Sequence, residues 1–174
     1  MKKDANLAVV VGWDRDVSQY AHNLPGSLRH KIESTMSPRI GEIAGTRDYI
    51  LSRWPPRHNN VYARYVTLAR DVGPGYNLPI APQRITVWGT HEGNGTQSLA
   101  VMIGDPGRER VSQPNGRLFH ITISVADGVP PAEAGKFTWD QVKNLDVYEE
   151  LWGYAHFLPS WRITPERREI ALVG

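Results

Sequence analysis

The chain contains no cysteine, which rules out disulfides, thiolate metal centres and cysteine nucleophiles. It has no apolar run near the ~20 residues needed to cross a bilayer as a helix. It also lacks a strong charge of either sign: 20 Lys+Arg against 18 Asp+Glu give a formal +2, too little for a global polyanion-binding field. No fixed-period repeat, low-complexity tract or Walker-type phosphate loop occurs. What is present is an ordinary globular composition, 40% hydrophobic and 22% charged over 174 residues. That is enough for one domain with a real core, taken as residues 1–174.

Periodicity divides the chain. Residues 7–13, "LAVVVGW", read as a buried first strand, and 14–36 as two short helices broken at "LPG". Ile40, Ile43, Ile50 and Leu51 fall loosely at helical spacing, and "PPRHNN" ends that stretch. From Val61 onward the pattern is strand-like. Residues 61–72 alternate, 84–89 and 97–103 form a hairpin across a Gly/Asn turn, and 118–125 alternate again. "PAEAG" predicts a helical turn and the following residues a polar connection, with last strands near 153–161 and 168–173. Helices early and strands late predict an α+β domain with mostly antiparallel sheet.

Two strand segments carry the chemistry. In "LFHITISV", Phe119, Ile121, Ile123 and Val125 make a core face, which places His120, Thr122 and Ser124 together on the other. In "ARYVTLAR", Tyr65 and Thr67 share the face opposite Val66 and Leu68. Adjacent, the two strands would form a groove with Tyr65 opposite His120 and Thr67 opposite Thr122. Threonine hydroxyls donate to phosphate oxygens, and an imidazole moves protons near neutral pH. Opening a cyclic phosphodiester needs one group to activate water and another to protonate the departing oxygen. Arginines cluster around both segments, Arg53, Arg57, Arg64 and Arg70 about the first and Arg108, Arg110 and Arg117 about the second. They are either solvated loop residues or local phosphate attractors. From these clusters Arg64 and Arg117, together with Tyr62, are candidate substrate contacts. Trp88, Trp152, Tyr154 and Trp161 are candidates for a base-stacking wall.

"HIT" at 120–122, with "YVT" at 65–67, resembles the paired His-x-Thr/Ser motifs of the 2H phosphoesterases. The run "HITISVADGVPPAEAG" looks most like the cyclic phosphodiesterase domain of plant and fungal tRNA ligases, with the likeness spanning 61–135. This resemblance implies a bilobal α+β fold, with mostly antiparallel sheets around a central groove and helices outside. It also implies metal-independent hydrolysis of a 2′,3′-cyclic phosphate at an RNA end, or of a cyclic or 2′–5′ linked oligonucleotide. It assigns His120 to proton transfer and Thr122 and Thr67 to the phosphate, while Ser124, Arg64, Arg117, Trp88 and Tyr62 are candidate substrate-binding residues beside them. Tyr65 stands where the family has its first histidine. A phenol of pKa about 10 is a poor base at neutral pH, but it can donate a proton or stack on a base or ribose. The alternative is a module that keeps the groove to bind nucleotides or RNA ends without hydrolysis.

His58 could fold back as a substitute for the missing histidine. His91 reads as a solvated residue at a hairpin tip, and His22, His30 and His156 lack ligand spacing. The expectation is therefore no metal and no cofactor. The expected partner is a nucleotide or RNA 3′ end, in a cytoplasmic setting, with no membrane and no obligate protein partner.

Overall fold

A computed structural model describes residues 37–42, 46–69, 77, 79–158 and 163–170. The strand expected at 7–13, the helices at 14–36, Arg70 and Trp161 lie outside these residues. The described architecture is antiparallel sheet with one α-helix, which is α+β in the broad sense.

Residues 37–54 are not one helical stretch. Ser37–Glu42 is strand β1, and the described helix, α1, spans Thr46–Arg53. Pro38 and Gly41 disfavour helix in the first part. β1 instead pairs on both sides, with β3 (Tyr65–Thr67) and with β7 (Lys143–Leu158). α1 has Asp48 in its first turn and Arg53 in its last, the arrangement that complements the helix dipole. It buries Ile50 and Leu51.

The hairpin forms as its turn chemistry predicts. β4 (Gln83–Gly93) and β5 (Thr96–Ile103) are joined by Asn94 and Gly95, both at positive φ (53° and 74°). This backbone matches strand twist and suits the Asn-Gly pair. β6 (His120–Val125) lies beside β5, followed by β2 (Asn60–Val61) and β8 (Glu166–Arg167). The 131–135 segment is a 3-10 turn, and a second one covers Trp139–Gln141.

The polar connection expected before residue 153 is mostly strand. β7 begins at Lys143 and pairs with β4, but its register slips between Glu149, opposite Val87, and Asn144, opposite Gly89. The slip pushes Val147 and Tyr148 outward, 76% and 51% exposed. That bulge hides the alternation that would have marked the strand.

β3 also pairs with β6 through Val66 and Ile121. Strands β3, β1, β7, β4, β5 and β6 are thus hydrogen-bonded in a ring. One continuous apolar cluster fills it, including Val66, Val87, Leu99, Val101, Phe119, Ile121, Ile123 and Leu151. Ile50, Leu51 and Trp54 from α1 and its exit pack onto the same cluster. Within the ring each strand is paired on both sides, and among the described residues β8, which pairs only with β2, is left as an edge of the sheet.

Ile121 is 3% exposed at the closing pair. Ile121→Ala should lower the unfolding free energy by about 2–5 kcal/mol in chemical denaturation. A loss below about 1 kcal/mol would mean that this pair lies outside the cooperative core.

Candidate functional site

Because Val66 and Ile121 are partners and both point into the core, their neighbours turn to the opposite face. Tyr65, Thr67, His120 and Thr122 are therefore together on one face of two paired strands, each half-buried. The pairing is antiparallel, so it sets Thr67 beside His120 and Tyr65 toward Thr122. This reverses the expected cross-strand partners. The imidazole and the phenol lie on a diagonal, a separation of about 7–8 Å between backbone positions.

The His120 ring is oriented by its surroundings. Nδ1 lies 3.2 Å from the Leu118 carbonyl oxygen, the geometry for an N–H donating to that carbonyl. This tautomer makes Nε2 the basic atom of the ring. Phe137 packs edge-on against the imidazole at 5.8 Å between centroids. Gly135 passes so close that a Cβ there would sit 2.7 Å from the His120 Cε1 and 3.1 Å from Nε2. The strap carrying these residues is pinned by the fully buried Ser98, whose hydroxyl donates to the Ala134 carbonyl at 2.9 Å. Ser98 is the register partner of Thr122.

The backbone is distorted just before the first motif strand. Ala63 adopts a positive φ of 56°, and its N–H donates to the Thr122 carbonyl at 2.8 Å. The chain between this bond and the Val66–Ile121 pair bulges, with Arg64 in the bulge beside Tyr65. Bulges of this kind re-aim side chains and concentrate near functional sites. Arg64 is half-buried and makes no ion pair among the described residues. Arg117, also half-buried, lies three residues before His120.

Three expected substrate contacts are placed elsewhere. The register between β5 and β6 shifts between Gln97 and Ser98, leaving Ile123 as the extra residue. The shift turns Ser124 away from the His120 and Thr122 file. Its fully buried hydroxyl donates to Gln97 Oε1 at 2.6 Å and accepts from the N–H groups of Arg57 and His58. Tyr62 is 7% exposed and packs with Val125 and Ala134, and burial raises the pKa of its phenol. Trp88 is 3% exposed, sits at the β4 bulge, and stacks on Trp139 at 4.6 Å. The exposed ring there is Trp139, and the stacked pair gives Trp88 no open face for a base.

His91 is not a solvated tip residue. It lies within β4, stacked on Phe137 at 4.8 Å, with Nδ1 buried and without a hydrogen-bond partner among the described residues. Burial lowers its pKa from 6.5, with a smaller opposing effect from Glu92. Phe137 thus lies between two imidazoles. No expectation included Phe137, Gly135 or Trp139. Their signal was the run "AGKFTW", which leads out of the helical turn and in which glycine precedes bulky rings. His58 contributes its backbone N–H to Ser124, and His156 is 2% exposed on β7. Among the described residues, no three His, Asp or Glu side chains cluster to hold a metal ion, and no helix is long and apolar enough to cross a membrane. No family model, curated protein or solved structure matches the chain.

Gly135→Ala should displace the His120 ring, read as a change in its NMR titration midpoint and side-chain shifts with the fold retained. Unchanged His120 signals would show that the strap does not hold the ring. His91 should titrate below 6.5 by NMR. Its neutral form is the one the fold favours. The contribution to stability is therefore present above the unfolded value and is lost as pH falls through the lowered folded one. A midpoint above 6.5 would contradict the burial of this ring.

Proposed function

We propose that the chain is a metal-independent phosphodiesterase of the 2H type. It would open a 2′,3′-cyclic phosphate at an RNA end, or a cyclic or 2′–5′ linked oligonucleotide. The observation that carries this reading is the β3–β6 pairing, which gathers Tyr65, Thr67, His120 and Thr122 on one face. The bilobal arrangement of that family, a nucleotide or RNA 3′ end as partner and a cytoplasmic setting belong to the same proposal.

The chemistry divides by basicity. His120 Nε2 takes the proton of an incoming water as its oxygen attacks phosphorus. The bond from phosphorus to one ribose oxygen breaks, and the Tyr65 phenol protonates that oxygen. The product is a phosphomonoester with an adjacent hydroxyl. An alkoxide is a stronger base than a phenolate, so the transfer from Tyr65 is downhill. Imidazolium and phenolate then exchange protons with solvent to restore the site. Thr67 and Thr122 hydroxyls donate to the non-bridging oxygens, and Arg64 offsets the negative charge that grows on them.

A second reading keeps the face as a nucleotide-binding surface without turnover. The observation favouring it is Tyr65 itself, because a phenol cannot exchange the base role with His120 as a second imidazole would.

Hydrolysis of 2′,3′-cyclic nucleotides and cyclic dinucleotides separates the two. The wild type should turn over at least one of them, and His120→Ala should lose about 10²–10⁴-fold in rate. Tyr65→Phe should lose activity and Tyr65→His should retain it. A wild type that binds nucleotide without product, while Tyr65→His gains turnover, would establish the binding module instead.

A further inference from the structure

A cavity of about 560 Å³ opens where the end of α1, the 54–57 segment, the β4–β5 hairpin and the start of β7 meet. None of Tyr65, Thr67, His120 and Thr122 lines it. Its apolar wall includes Trp54, Leu99 and Leu145, all packed in or against the core cluster, so it lies at a mouth of the strand ring. Barrel mouths and cavities of roughly 300–1,000 Å³ are common places for small ligands.

The rim is positively charged. Arg53, Arg57 and Lys143 line it against a single carboxylate, Glu92. Arg53 is turned to Glu149 at 2.7 Å, and Arg57 reaches Glu92 at 3.2 Å, with both of the latter side chains more than half exposed (66% and 52%). An ion pair so exposed is weak and readily exchanged. Lys143 has no ion pair among the described residues.

The wall beneath is stiff. Gln97 accepts from the Ser124 hydroxyl (2.6 Å) and the Arg57 N–H (2.9 Å), and donates to the Pro55 carbonyl (3.0 Å). These bonds fix the segment that presents Arg57 before any ligand arrives, which reduces the ordering cost of binding.

We propose that this mouth binds a small phosphorylated ligand with a planar apolar portion, of which a nucleoside monophosphate is the simplest form. Lys143 and Arg57 take the phosphate, with Arg57 exchanging the Glu92 carboxylate for it. Trp54, Leu99 and Leu145 receive the ring, and Asn144 on the same wall offers an amide to its edge. The site does not rest on the phosphodiesterase reading, because it shares none of the four residues of the β3–β6 face.

Calorimetric titration with 5′-AMP, adenosine and inorganic phosphate tests it, in the His120→Ala background so that binding at the other face is weakened. AMP should bind, with adenosine and phosphate each roughly tenfold weaker or more, since each lacks half of the contacts. Adding Lys143→Gln or Arg57→Gln should weaken AMP by about five- to tenfold. Adding Glu92→Gln should tighten it by removing the competitor for Arg57, and raised salt should weaken it. No AMP binding at millimolar concentration, or binding indifferent to all three rim substitutions, overturns the proposal. So does phosphate binding as tightly as AMP, which would leave the apolar wall without a role. Hydrolysis by the wild type is measured separately and stands or falls independently.

Discussion

A single antiparallel contact, Val66 against Ile121, is the constraint on which the rest depends. Both side chains are almost completely buried, so the fold cannot rotate either strand without exposing apolar surface. Strand geometry then leaves no choice for the residues on either side of them. Tyr65, Thr67, His120 and Thr122 must turn away from the core, and they must do so next to one another. The same contact joins the strands into a ring and so encloses the core cluster. The core and the candidate site are two faces of one pairing.

Irregularities complete what regular pairing begins. The Ala63 distortion interrupts the pairing just before Tyr65, and the β6 bulge withdraws Ser124 from the polar file to brace the 55–58 segment. The β4 bulge seats Trp88 beneath the Phe137 and Trp139 strap. Each costs some ladder regularity, and each re-aims one side chain. The strap is the remaining part. Gly135 and Phe137 enclose His120 from above, while the Leu118 carbonyl fixes its tautomer from below. Packing and hydrogen bonding thus hold the imidazole on more than one side. Under the proposed function the imidazole is the base, and the tyrosine serves only as an acid. The proposed asymmetry of roles follows from having one imidazole and one phenol where two imidazoles would be interchangeable.

Much of this was legible from residues 61–135. Alternation around Val66 and Ile121 marked the two motif strands, and Asn94-Gly95 marked the hairpin. "PAEAG" marked its turn, because local backbone preference and side-chain period both act over a few residues. Ser124 was misread for a definite reason. Its place in the polar file assumed unbroken alternation, and a single extra residue at Ile123 inverted it. The β7 strand was misread likewise, since its three-residue slip removes the period while pairing persists on both sides. His91 looked like a turn residue because its stacking partner, Phe137, is far away along the chain.

The sequence by itself determined the alternating faces, the hairpin turn, the absence of thiol chemistry and the chemical identities of the candidate acid, base and phosphate ligands. Only the tertiary structure decided which strand lies beside which, in what register, and which of the polar side chains face outward together. Those choices are made by competition among distant apolar surfaces for one core, and no local pattern records the outcome of that competition.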